Sequence, residues 1–286
     1  MEYELFVSKT VEALQNKLGD SVKVKVMPVT KNNGIVLDGI VFISTDKNIT
    51  PTIYIEYYFK DYEKGNITHD EVVSEIIDIY NQDATFDASK FLNFQAIKDH
   101  ITYRLVNTGL NILNDVPHRN MLDLSIVYYV VVQVMGETGY ILIHNNHLEY
   151  WNVTEQDLYQ YVSNNTRRLL PEETLFLNEM FPFIDDSVEI YILTNEAKSN
   201  GATVILYPNT LENLAEKLDA NLVLLPSSVN EWLIMPDDGN NDEEYLSNMI
   251  QEINSTDCVD NIDILSDHPY YYNRETKMLT GSSEKK

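Results

Sequence analysis

The chain has 286 residues, 44% of them hydrophobic, with 20 Lys and Arg against 45 Asp and Glu and a formal net charge of −25. This apolar content suits a packed globular protein rather than a disordered one, and the charge repels nucleic-acid backbones and anionic lipid surfaces. The single Cys258 excludes an intramolecular disulfide and a cysteine-based zinc site, and no run of 18 apolar residues is available to span a bilayer.

The opening MEYELFVSKTVEALQNKL lacks the basic start and unbroken apolar core of a signal peptide, so a cytoplasmic protein is expected. The spacing predicts a helix from Glu2 to Leu18 with Leu5, Val11, Leu14 and Leu18 near one face, stopped by Gly19. VKVKVMPV alternates like a half-buried strand, and Asn32-Asn33-Gly34 turns it into IVLDGIVFI as a β-hairpin. Pro51 is read as the first residue of a helix. In that helix Tyr54, Tyr57, Tyr58 and Tyr62 form a stripe packed on the hairpin, and Gly65 ends it. Thr68 and Glu71 make a capping box, opening an amphipathic helix through Val72, Val73, Ile76, Ile77 and Tyr80.

The polar stretch Asp83 to Ser89 reads as a loop between subdomains. A short helix follows, then a strand from Ile101 to Val106. From Leu122 to Met135 the β-branched run predicts a long central strand, paired through Gly136–Gly139 with YILIH. Thr154 caps a helix with Asp157 at its third position, and Pro171 is read as starting another toward Phe181. Ser199-Asn200-Gly201 is read as a turn between strands YILTN and ATVILYP, with positive φ at Gly201. Asn209 is read as the cap of helix LENLAEKL, and Ser227-Ser228 as the turn between LVLLP and EWLIMP.

Two of these connections are too short for parallel crossovers, so pairing is antiparallel. The fold class is α+β, a mixed, largely antiparallel sheet with flanking helices. From Asp237 to Asp267 there are ten Asp or Glu and no Lys or Arg. Yet Tyr245, Leu246, Met249, Ile250 and Ile253 recur at helical spacing, which predicts a docked helix with an acidic outer face. The domain reading is 1–82 for a hairpin-plus-helices subdomain, 83–280 for the main α+β domain and 281–286 for a disordered tail.

NGATVILYP with LVLLPSSVNE, and HLEYWNVTEQDLYQYVSNNTRRLLP, carry a resemblance, supported by NNGIVLDGIVF, PTIYIEYYFKDYEKG and VPHRNMLDLSIVYYVVV. On these stretches nearly the whole chain resembles a domain-of-unknown-function family common in low-GC anaerobic bacteria. The resemblance implies a bacterial cytoplasm, sometimes a mobile-element context, and no catalytic residues. Members of that family often have His where this chain has Asn230, so chemistry resting on that position is not expected here.

His144 and His147, followed by Glu149, form the one close cluster of ligand-type residues. On a strand, residues three apart face opposite ways, so convergence on a metal would need a turn at Asn145-Asn146. The favoured reading is a polar loop leading to Trp151, with no metal bound. Ser227 and Ser228 lack a GxSxG elbow and an adjacent base, and read as turn residues whose hydroxyls bond backbone N–H groups. His118 is read as a surface residue of an irregular loop, and the acidic surroundings of Cys258 disfavour a thiolate. Phosphate loops, dinucleotide loops and HExxH are missing, as is any basic aromatic-rich strand.

No catalytic, cofactor-binding or metal residue is therefore assigned, and no cofactor is expected. The favoured reading of the charge is a solvated acidic surface that aids solubility, with a basic protein partner as the second reading. The expected function is non-enzymatic binding of a protein partner, without direct nucleic-acid or membrane binding; the oligomeric state stays open. Trp151, Trp232, the tyrosine stripe and the acidic helix are the candidate contact elements, and for each of them the favoured reading is a structural role. One alternative is an acidic mimic that inhibits a DNA- or RNA-binding protein, which would line carboxylates in a regular row. The other is a hydrolase, which would need a pocket where a histidine meets Ser227, Ser228 or a carboxylate.

Overall fold

The computed structural model describes every residue except 46, 48–49, 83–87, 135–136, 181–188, 257 and 283–286. The chain divides into two units, residues 1–92 with 132–139, and residues 93–131 with 140–286. Most of the loop read at Asp83 to Ser89, the turn at 135–136 and the end of the tail lie outside the described residues.

The first unit holds α1 (Tyr3–Leu18), β1 (Val22–Thr30), β2 (Val36–Ser44), β3 (Ile53–Tyr54), α2 (Ile55–Glu63), α3 (His69–Asn81) and α4 (Ala88–Phe91). Its strands form an antiparallel sheet in the order β1-β2-β3. Asn33 (φ 59°) and Gly34 (φ 70°) make the hairpin turn, a left-handed region these two residue types tolerate. Val22, Val24, Ile40 and Phe42 enter one core with Phe6 and Leu14 of α1 and Val72 and Ile76 of α3. The capping box forms: the Glu71 N–H donates to Thr68 Oγ1 at 3.3 Å and the Thr68 N–H to Glu71 Oε2 at 2.8 Å.

Pro51 does not start a helix. Ile53 and Tyr54 first pair with Ile40 and Gly39, and α2 begins only at Ile55; the ladder at the sheet edge overrides the proline's preference for a first helical turn. Of the tyrosine stripe, Tyr58 and Tyr62 pack into the core while Tyr57 is 40% exposed. Tyr62 and Phe59 meet Phe6 of α1, with ring centroids at 5.0 and 5.2 Å.

The free edge of β1 is blunted. Gln15 donates Nε2–H to Val22 O at 2.8 Å and accepts the Val24 N–H at 3.1 Å, and Pro28 has no N–H to offer a further strand.

Next in the chain come α5 (Phe94–Ile97), β4 (Ile101–Asn107), β5 (His118–Met121), β6 (Leu124–Val134), β7 (Glu137–Leu142), α6 (Asn145–Trp151) and α7 (Glu155–Leu169), all of the second unit except the end of β6 and the start of β7, which belong to the first. After these come β8 (Glu172–Phe176), α8 (Leu177–Met180), β9 (Tyr191–Asn195), α9 (Thr210–Leu218), β10 (Asn221–Ser228), β11 (Glu231–Asp237), α10 (Glu243–Asn254), β12 (Tyr270–Asn273) and β13 (Met278–Gly281). β6 is the long strand expected, with β4 on one side and β5 and β7 also paired to it. The remaining strands form one antiparallel sheet in the order β13-β12-β10-β11-β9-β8. The fold is α+β.

Three local expectations are corrected. Pro171 precedes a strand rather than a helix, because Glu172 to Phe176 pair with Asn195 to Tyr191 at the edge of the large sheet, where a preceding proline removes no ladder bond. ATVILYP is a 3-10 helix, Gly201–Leu206, rather than a strand. Asn209 stands at the cap position of α9 through its left-handed φ of 66°, with no side-chain cap bond.

The acidic segment does form a docked helix. Leu246 and Ile250 of α10 are buried on Val223, Leu225 and Tyr271, and each such side chain contributes about 1.5–3 kcal/mol of burial.

Candidate functional site

The stretches NGATVILYP and SSVNE meet in space. The Thr194 hydroxyl donates to Asn230 O at 2.7 Å, the Asn200 N–H donates to Asn230 Oδ1 at 2.9 Å, and the Ala202 N–H donates to Val229 O at 3.1 Å. Trp232, fully buried, donates its indole N–H to Ala202 O at 2.7 Å. The Thr203 hydroxyl closes the 3-10 turn on Asn200 O. These polar groups serve one another, so the knot holds the β10–β11 turn against the Gly201 turn.

The serines behave as turn residues. Ser228 Oγ accepts the Asn230 N–H at 3.0 Å, and the Ser227 hydroxyl donates to Glu231 Oε1 at 3.2 Å. Among the described residues no hydrogen bond joins either serine to a histidine. The arrangement has no base to activate a nucleophile.

His144 and His147 sit at the N-terminus of α6 rather than in a loop. His147 Nδ1 accepts the His144 backbone N–H at 3.0 Å, which engages the lone pair a metal would need. Burial, then His144, lowers the His147 pKa and favours that neutral ring. Its ring stacks on Trp151, centroids 5.6 Å apart. The exposed Glu149 is not brought to the pair, His144 faces Asp115 at 3.2 Å, and no group of three metal-ligating residues occurs among the described residues. His118 lies on β5 rather than in an irregular loop, its Nδ1 2.8 Å from Val116 O. Cys258 is exposed. Both tryptophans are core residues, Trp151 lying against Phe94 and Trp232 edge-on to Tyr270, so neither supplies a contact surface.

Sequence reading missed one cluster. Asp123, in the turn before β6, accepts the Tyr270 hydroxyl at 2.7 Å and meets His268 Nε2 at 3.2 Å and the Ser266 hydroxyl at 3.4 Å. Some 145 positions separate Asp123 from His268, so no local pattern could announce it. Ser266 faces the carboxylate and not the imidazole, and the other imidazole nitrogen lies 3.1 Å from Pro269 O. The cluster ties the C-terminal segment down and lacks the serine-to-histidine contact of a hydrolase. An open cavity of about 640 Å³ in the first unit is no better placed for catalysis. Its Lys47 ammonium donates to the Tyr80 and Gln82 carbonyls, and the cavity is lined by no histidine or carboxylate.

What stands open to solvent is the outer side of α10. Asp242 caps the helix, accepting the Glu244 and Tyr245 N–H groups. Tyr245 is 66% and Ile253 45% exposed, with Glu244, Asn248 and Glu252 also exposed. The outer side of this helix, anchored from below, thus carries an aromatic and an aliphatic side chain among carboxylates.

A family model described as a family of unknown function, DUF5688, matches residues 3–274. The chain belongs to DUF5688. The match spans the polar knot, both tryptophans and the whole of α10. No curated protein and no solved structure matches this DUF5688 chain. No helix among its described residues is long and apolar enough to cross a membrane.

Proposed function

We propose that this DUF5688 chain is a cytoplasmic bacterial protein that acts by binding another protein, without catalysis, through the outer face of α10. The observation that carries the reading is the exposure of Tyr245 and Ile253 beside Glu244 and Glu252 on a helix whose Leu246 and Ile250 are locked into the sheet. A partner that fits offers an apolar groove rimmed by Lys or Arg. The nucleic-acid mimic is less well supported, because Asp237, Asp238 and Asp242 accept hydrogen bonds from their own loop at Gly239, Asn240 and Glu244 instead of forming a free row of carboxylates.

The test is affinity capture from a bacterial lysate with the full chain and with a variant carrying Glu244→Gln, Tyr245→Ser, Glu252→Gln and Ile253→Ser. The wild type is expected to retain a protein that the variant loses while the circular dichroism of the two stays alike. A variant that keeps every wild-type partner sinks the reading.

A further inference from the structure

The first unit presents a second surface, exposed in part and opposite in charge to α10. Alternate residues of a strand face opposite ways, and one face of β1 and β2 is taken by the helical core. The other face pairs Lys23 with Ile43, Lys25 with Val41, Met27 with Gly39 and Val29 with Leu37. Lys23 and Lys25 are exposed, as are Met27 (49%) and Ile43 (52%). None of these eight positions is acidic, in a chain with 45 Asp and Glu. Gln15 and Pro28 blunt the β1 edge, so an occupant lies across the face rather than adding a strand to it.

α10 is the complement. Tyr245 and Ile253 are exposed eight positions apart with Glu244 and Glu252 exposed alongside, while Met249 between them packs with Leu246 and Ile250 on the sheet. Eight residues of helix reach about 12 Å, and the four-residue step from Lys23 to Met27 reaches about 13 Å. Met27 and Ile43 on the one surface and Tyr245 and Ile253 on the other are exposed, while Gly39 is buried beside Thr52.

We infer that α10 of one copy docks across the β1–β2 face of a second copy, its Tyr245 and Ile253 on Met27, Val41 and Ile43 and its glutamates beside Lys23 and Lys25. The inference rests on the reading of α10 as a contact surface and names its partner. Each copy carries one surface of each kind, so association is head-to-tail.

Sedimentation equilibrium of the full chain tests it, from about 1 µM to about 1 mM, the range in which a small interface binds. The wild type is expected to gain mass with concentration. Lys23→Glu with Lys25→Glu, and separately Glu244→Lys with Glu252→Lys, are expected to leave monomers. An equimolar mixture of the two variants is expected to recover a dimer, because each keeps the surface the other has lost. Association retained by either variant, or no recovery on mixing, overturns the inference. A wild type that is monomeric throughout also overturns it, as a failure of the second copy alone, because the capture experiment tests α10 separately.

Discussion

Gly201 is required by a close approach and not by a turn conformation. A Cβ there would collide with Thr194 Oγ1 and Asn230 O and lie 2.9 Å from Asn195 N. Two of those three atoms are backbone and cannot rotate away. The positive φ expected of Gly201 belongs instead to Lys198 (53°) and Asn200 (52°). Gly201→Ala is expected to cost about 1–3 kcal/mol, as overpacking of a tight site does, read from the urea midpoint; an unchanged midpoint would contradict the packing. The dipeptide Asn-Gly spells a turn in any sequence, but the proximity of residues 194 and 230 is not local information.

The same holds for Asp123 and His268. Burial alone would raise the Asp123 carboxyl, but hydrogen bonds from His268 and Tyr270 hold it below its ordinary value. The bond to Asp123 in turn raises His268. A raised histidine stabilises below its unfolded pKa and loses that contribution as pH rises through the folded value; a lowered aspartate stabilises above its unfolded pKa and loses it as pH falls. The stability gap between wild type and Asp123→Asn is therefore expected to be widest between about pH 4 and about pH 6.5 and to narrow on both sides. Urea melts across that range check it, and a gap independent of pH would count against the pair.

At the scale of elements, periodicity was informative wherever one face alone is buried. The α1 and α3 helices, the β1–β2 hairpin and α10 all alternate buried with exposed positions, and all are legible. It failed where burial is complete. Gly201 to Ile205 are all buried, and an apolar run of that length reads equally as strand or as helix. It failed again at Pro171, where pairing with β9 decides the outcome. The two sides of α10 make the point testable. Ile250→Asp would bury a charge on Val223 and Leu225 and is expected to cost more than about 3 kcal/mol, whereas Tyr245→Ser should stay within about 0.5 kcal/mol. Equal losses in thermal unfolding would mean that the outer face is structural as well.

Over the whole molecule the negative charge is unevenly shared. Residues 1–92 with 132–139 hold 9 Lys and Arg against 16 Asp and Glu, and the rest hold 11 against 29. Net charge governs association and solubility rather than fold, and here it separates a less acidic unit with a lysine-bearing sheet face from a strongly acidic unit with an exposed helix. Family membership and the α+β class were both legible in the sequence. The proposed contact surface is another matter, since the same spacing that predicts α10 does not say that Tyr245 and Ile253 stay outside while Trp151 and Trp232 go in. The most direct measurement is photo-crosslinking in cells with a benzophenone amino acid placed at Tyr245, and as a control at Tyr150, which is exposed to a similar degree at 63%. A discrete protein adduct from position 245 and none from position 150 is the predicted result; no adduct from position 245, or the same adducts from both, would contradict the assignment of α10 as the binding surface.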